Sequence, residues 1–102
     1  MNTYNNLINC TGFEWDEYNS KKNWDKHKIT PVECEQFFFN QPLLIEKDIK
    51  HLLHEERLYA LGKTDIGKKL FIAFTIRENL IRVISARQMS KNEKRSYEQY
   101  EK

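Results

Sequence analysis

Lys69-Leu-Phe-Ile-Ala-Phe-Thr-Ile-Arg77, Glu78-Asn79 and Leu80-Ile-Arg82-Val-Ile-Ser-Ala-Arg87 run on from one another, and their reading decides the fold. Both outer segments are rich in branched and aromatic residues, and an asparagine in the two-residue connection tolerates the left-handed backbone of a tight hairpin. The stretch predicts an antiparallel hairpin in which Ile76 faces Ile81, Thr75 faces Arg82 and Phe74 faces Val83. That register assigns each side chain to a face. Leu70, Ile72, Phe74, Ile76, Ile81 and Val83 make the main core face. Phe71, Ala73, Thr75, Arg77, Arg82, Ile84 and Ala86 make the other, which is smaller in side-chain volume and holds two cations. In a regular strand Arg87 returns to the core face, so Arg82 and Arg87 address one ligand only if a bulge intervenes or Arg87 wraps around the sheet edge.

Working outward, Arg57 to Lys63 reads as a third strand, joined to the hairpin by Thr64-Asp-Ile-Gly67-Lys68. A four-residue loop puts Leu58, Ala60 and Gly62 on the Arg77/Arg82 face and makes a shallow basic groove. One residue more or fewer reverses the parity and brings Arg57 to the groove side. A purely structural role is the alternative, with small residues admitting the last helix and Glu93 or Glu98 neutralising an arginine. Ser90 and Glu93 form a capping-box pattern at the start of that helix, which carries Tyr97 and Tyr100 on one side. Upstream, Met1 to Gly12 is polar and Asn-rich, and Phe13-Glu-Trp15 is a short strand or anchoring segment. Asp16 is placed to cap a helix running to about Lys28, whose only large apolar residues, Tyr18 and Trp24, suit a surface position. Thr30-Pro31-Val32-Glu33 starts a second helix with an apolar face of Cys34, Phe37 and Phe38, ended by Asn40-Gln-Pro42. Leu43-Leu-Ile45 is an edge-strand candidate, and Glu46 to Glu56 reads as a loop or frayed helical turn.

The expected architecture is α+β: a small antiparallel sheet of three to four strands, two N-terminal helices and a C-terminal helix. With 102 residues the chain suits a single domain over 1–102, with an irregular segment at 1–12. A charged fraction of 31% beside 39% hydrophobic residues fits a folded soluble protein rather than a disordered tail. The net charge of +2 rules out nucleic-acid binding by bulk charge alone, but Lys21, Lys22, Lys26, His27 and Lys28 form a local basic cluster. Cys10 and Cys34, without CxxC spacing or a secretory leader, read as reduced thiols of a cytoplasmic protein. No segment approaches the ~20 apolar residues of a membrane span, so no membrane partner is expected.

Several of these pieces, in their order and spacing, resemble the BrnT toxins of type II toxin-antitoxin systems. They are Phe13-Glu-Trp-Asp16, Asn23 with Lys26-His27, the helix ending near Phe39 and Pro42, Glu56-Arg57 followed by Gly62, Arg77, Arg82-Val-Ile-Ser-Ala-Arg87, and Glu93 with Tyr97. Lys28 stands where a glycine is common in that family, Gln41 where an aspartate often precedes the proline, and Met89 where a small residue is usual. The resemblance implies a RelE-like ribonuclease fold and a toxin that cleaves RNA and slows growth. It also implies neutralisation by a BrnA-type ribbon-helix-helix antitoxin, with operator DNA engaged only through that antitoxin.

Metal-independent RNA cleavage uses the substrate's 2′-hydroxyl as nucleophile and needs orientation, charge stabilisation on phosphorus and proton transfer. Arginine suits the second task, because its planar fork stays charged and binds two phosphate oxygens at once. Arg77 and Arg82 are the first candidates, then Arg57, with Arg87 as a further RNA contact. His27 is the proton-transfer candidate, although a histidine at a helix end also complements the dipole. Lys22 and Lys26 are placed to bind the RNA backbone or to keep the helix soluble, and Glu56 to act as a base or a salt-bridge partner. His51-x-x-His54-Glu55 offers metal ligands at helical spacing but lacks a convincing third ligand, so no metal or other cofactor is expected. A non-catalytic RNA-binding or interaction module using the same groove, with Tyr59 and Tyr97 as stacking candidates, is the alternative function.

Overall fold

A computed structural model describes residues 7, 9–48 and 57–101. The hairpin forms in the expected register at its turn: β4 (Lys69–Arg77) and β5 (Leu80–Gln88) pair antiparallel with Ile76 opposite Ile81, Thr75 opposite Arg82 and Phe74 opposite Val83. Glu78 and Asn79 have φ of 52° and 65°, the left-handed pair that matches the twist of a two-residue hairpin. Farther from the turn the ladder shifts. Ala73 pairs with Ser85 while Phe74 pairs with Val83, so Ile84 is an extra residue in β5. This bulge overturns the parity expected of a regular strand. Ala86 points to the core face and is buried, whereas Arg87 lies opposite Phe71, on the face that also holds Thr75 and Arg82.

Three further strands complete the sheet: β1 (Gly12–Glu14), β2 (Leu44–Lys47) and β3 (Arg57–Lys63), in the order β1-β5-β4-β3-β2. The expectation of three to four antiparallel strands is therefore corrected to five in a mixed sheet among the described residues, since β1 pairs parallel with the start of β5. The residues expected as loop or helical turn from Glu46 onward begin as strand, because Glu46 and Lys47 pair with Tyr59 and Leu58. Five residues, Thr64 to Lys68, connect β3 to β4, and this length puts Arg57 opposite Thr75 rather than on the core face. Leu58, Ala60 and Gly62 correspondingly face the core.

Helices α1 (Glu17–His27) and α2 (Pro31–Phe39) start where the capping signals lie. Asp16 accepts from the amides of Tyr18 and Asn19, and Thr30 with Glu33 forms a reciprocal capping box behind Pro31. Helix α2 supplies the core aromatics: Phe37 covers Gly62, and Phe38 packs edge-on against Phe74 with ring centroids 5.0 Å apart. Helix α1 packs against β5, where buried Asn23 accepts a 3.1 Å hydrogen bond from the Ala86 amide. Its end is capped by Lys28 at φ 56°, left-handed geometry that explains why glycine suits this position. Tyr18 and Trp24 are exposed, as expected of a surface helix.

Helix α3 (Lys91–Glu98) lies over the second face at the end carrying Lys63 and Lys69. Lys69 reaches Glu98 at 2.8 Å, Lys63 reaches Glu101 at 3.0 Å, and buried Tyr97 donates its hydroxyl to the Pro42 carbonyl at 2.6 Å. Arg87 is forked onto both oxygens of Glu93, at 2.8 and 2.9 Å, while Glu93 also accepts from the Ser90 amide. One carboxylate thus fastens the strand and closes the helix cap.

Two outcomes follow from this packing. A Cβ on Gly62 would sit 2.8 Å from Cε2 of Phe37, so G62A is expected to cost about 1–3 kcal/mol in urea unfolding, and an unchanged midpoint would contradict the contact. The Arg87 side chain, helped by the Ser90 amide, holds the Glu93 carboxyl below its ordinary 4.5. A depressed acid stabilises the fold fully above that ordinary value and loses its contribution as pH falls through the folded-state one. Stability measured across this acid range should therefore fall less steeply in E93Q than in the parent, and identical slopes would argue against the linkage.

Candidate active site

The arginines meet on the face opposite the core. Arg57 is paired across the sheet with Thr75, and Thr75 with Arg82, so the two guanidinium stems flank a buried threonine on three adjacent strands. At ~4.8 Å between strands their Cα atoms stand about 10 Å apart, a span that two extended arginines close over one phosphate. Arg77 lies two residues beyond Thr75 on the same face, exposed at the turn end of β4.

Arg82 is oriented by Asp16, whose Oδ2 accepts from Nη2 at 2.8 Å while Oδ1 caps α1. The Asn19 amide, then Arg82, lower the Asp16 carboxyl below its ordinary value, so it remains an anion beside the guanidinium. Among the described residues this is the one hydrogen bond shown for the Arg82 fork, which leaves donors for an anion above the sheet. The Arg57 side chain has no ion pair among the described residues.

Arg87 occupies the other end of the same strand face. Besides Glu93 it holds the Gln88 carbonyl at 3.1 Å and sits 4.1 Å above the Phe71 ring, a cation-π arrangement. Phe71 in turn stacks on Tyr59, centroids 5.4 Å apart and planes 26° apart. Tyr59 donates its hydroxyl to Oε1 of Glu46 at 2.8 Å, and that bond raises the phenol's pKa.

The remaining sequence candidates lie elsewhere. Lys22, Lys26 and His27 belong to α1, which starts at the Asp16–Arg82 contact; eleven residues at 1.5 Å each carry His27 about 16 Å along the axis from it. Lys22 stands over the Tyr18 ring at 5.9 Å, and Lys26 and His27 are exposed in the last turn. The fold therefore gathers Arg57, Arg77, Arg82 and Arg87 on one face and sets the helical cations to one side. His51, His54, Glu55 and Glu56 lie outside the described residues. Among the described residues no three His, Cys, Asp or Glu side chains cluster as a metal site. Burial pushes the Cys34 thiol up to about 12, which removes it as a nucleophile.

Asp16 and Glu46 are the site residues that sequence reasoning missed in this role. Asp16 is visible in sequence as a helix cap, but its reach to Arg82 depends on the parallel β1–β5 pairing. Glu46 carries no signal beyond its place after an apolar triplet.

Comparison with known proteins bears on what this face does. Residues 15–93 match the family described as ribonuclease toxin, BrnT, of type II toxin-antitoxin system. Among solved structures the fold resembles the 1.1 Å crystal structure of the Brucella abortus ribonuclease toxin, BrnT, with a TM-score of 0.57 and 21% identity over 79% of this chain and 99% of that one. A search of the curated proteins finds no match. Among the described residues, no helix is long and apolar enough to cross a membrane. The family match spans the first helix, both core strands of the hairpin and the Arg87–Glu93 clamp, and on it the chain belongs to the BrnT family, the ribonuclease toxins of type II toxin-antitoxin systems, with an antitoxin as partner and RNA as target.

Proposed function

We propose that the arginine face cleaves RNA without a metal, using the substrate's own 2′-hydroxyl. The row Arg57–Thr75–Arg82, with Arg77 beside it, is the observation that carries this reading. The 2′-hydroxyl gives its proton to water as its oxygen attacks phosphorus, the bond to the 5′-oxygen breaks, and that oxygen takes a proton from water, which leaves a 2′,3′-cyclic phosphate and a 5′-hydroxyl. Charge builds on the non-bridging oxygens during attack, and guanidinium groups already fixed in position stabilise it without reorganising. Arg82 is fixed through Asp16; Arg57 approaches from the opposite strand and Arg77 from the turn side. Arg87, held by Glu93, lines the end of the face and contacts RNA only with the part of its fork that remains. Lys22, Lys26 and His27, set apart along α1, bind the RNA backbone as it leaves the face, which gives His27 a binding rather than a proton-transfer role.

The same reading includes a RelE-like relationship of the fold, arrest of translation and growth by RNA cleavage, and neutralisation by a BrnA-type ribbon-helix-helix antitoxin. The non-catalytic alternative, a module that only holds RNA, uses the same groove.

Purified protein should cleave RNA in EDTA, leave a cyclic or 3′-phosphate and fail on a substrate with a 2′-deoxy residue at the cut position. Cleavage that survives the deoxy substitution would overturn the 2′-hydroxyl mechanism, and a shift in RNA mobility without cleavage would favour the binding module. R57A, R77A and R82A are each expected to lower the cleavage rate by roughly 10²–10³-fold, the usual loss of one transition-state donor, while the variants still bind antitoxin. Parent-like rates in all three would return these arginines to a structural role.

A further inference from the structure

Beside the arginine face, β2 and β3 and the end of α3 border an open groove of about 530 Å³. Its wall includes Leu44, Leu61, Tyr59, Glu46, Ser96 and Tyr100. The volume falls in the ~300–1,000 Å³ range of small-molecule sites. Three side chains equip this groove to hold a planar ligand.

Two aromatic rings border it. Tyr59 is fixed by its stack on Phe71 and by its bond to Glu46. Tyr100 is 63% exposed just beyond a strongly polar helix, yet its backbone is held by the Tyr97 carbonyl at 2.9 Å and its neighbour Glu101 by Lys63 and Lys69. A large ring kept in water on an anchored backbone is suited to stack against a flat apolar partner. The third is the Glu46 carboxylate. It is oriented by the Tyr59 hydroxyl on Oε1, and Oε2 has no hydrogen bond among the described residues.

A carboxylate repels phosphate, so this wall reads hydrogen-bond donors on a base rather than the RNA backbone. Two carboxylate oxygens match two adjacent donors. Guanine presents N1–H and the N2 amino group side by side on its Watson–Crick edge. Adenine and cytosine each present one amino group next to a ring acceptor, and uracil one N–H between two carbonyls that face the carboxylate unfavourably. Tyr59 lies two residues from Arg57 on the same strand and face, ~7 Å away, which is within the reach of one nucleotide from a phosphate held by the arginines.

We infer that this groove is a nucleobase subsite that selects guanine in the RNA substrate, with Tyr59 and Tyr100 stacking on the base and Glu46 pairing with its N1–H and N2 amino group. The inference rests on the ribonuclease reading of the arginine face and adds the substrate preference of that site.

Oligoribonucleotides carrying a single guanosine among other bases test it by cleavage mapping. The cut should fall at a fixed offset from the guanosine, and inosine, which lacks the 2-amino group, should lower cleavage there by about 10-fold, the usual contribution of one hydrogen bond to a charged group. E46Q should bring cleavage next to guanosine down to the level seen at the other bases. Equal cleavage at every base by the parent protein, or an undiminished guanosine preference in E46Q, would overturn the inference and leave the arginine mechanism standing. A second measurement is independent of catalysis: guanosine 3′-monophosphate and adenosine 3′-monophosphate are titrated into the full chain and followed by NMR at Tyr59 and Tyr100. Selective binding of the guanosine compound without any RNA cleavage would support the subsite and reject the ribonuclease mechanism, whereas equal binding of the two nucleotides would reject the subsite.

Discussion

Ile84 is the extra residue in β5, and the change of parity it introduces determines what each face of the sheet contains. Without it, Ala86 would turn away from the core and Arg87 would turn into it, where a buried guanidinium needs a partner at several kcal/mol of desolvation cost. With it, Ala86 fills the space beneath α1, its amide satisfies Asn23, and both terminal arginines of the strand emerge on the other side. Helix α3 can then be fastened by Arg87 from the side on which Arg82, placed by the hairpin turn, meets Asp16. A single two-against-one step in the ladder thus links core packing, helix attachment and the cationic face.

Gathering arginines on one face creates mutual repulsion, and the protein offsets it unevenly. Arg87 receives a bidentate carboxylate and an aromatic ring, an arrangement that uses most of its fork. Arg82 donates one bond to a carboxylate that is itself committed to a helix cap, so the partner cannot swing away and the cation is aimed without being consumed. Fixed donors of this second kind lose little orientation entropy when an anion arrives, whereas a surface lysine must be ordered at the moment of binding. The lysines of α1 fit a looser, backbone-tracking role for the same reason.

Much of this was legible in the sequence. The Glu78-Asn79 turn set the register of the hairpin, and the Thr30–Glu33 and Ser90–Glu93 patterns started helices at the observed residues, because turns and caps are local interactions between near neighbours. The bulge was not legible. Val-Ile-Ser-Ala contains no glycine or proline to mark it, and either parity leaves an acceptable pattern of small and branched residues. The parallel strand β1 was also hidden, since three residues are too few to show alternation and their partner lies 68 residues away, as Gly12 and Leu80 show. Asp16 and Glu46 entered the site through these long-range pairings, which is why the sequence showed a cap in one case and nothing in the other. The loop between β3 and β4 lay between the two: its residues were evident, but its length, and with it the side of Arg57, required the structure.

The separation of faces has a consequence for how the protein tolerates change. The main apolar core, from Phe37 and Phe38 through Ile72, Phe74 and Val83, lies wholly on the side away from the arginines. Arg57 and Arg77 lie on the other face, and loss of either side chain leaves the backbone ladder of the sheet intact. Arg82 differs slightly, because its removal leaves Asp16 still capping α1 but without its cation. Arg87 is the arginine with a structural duty, since Glu93 would then keep its cap bond while losing the partner that ties α3 to the sheet. Thr75 is the point at which the two demands meet: it is buried within the sheet and also central to the arginine row, so the chemistry of this face is anchored to the part of the fold least free to move.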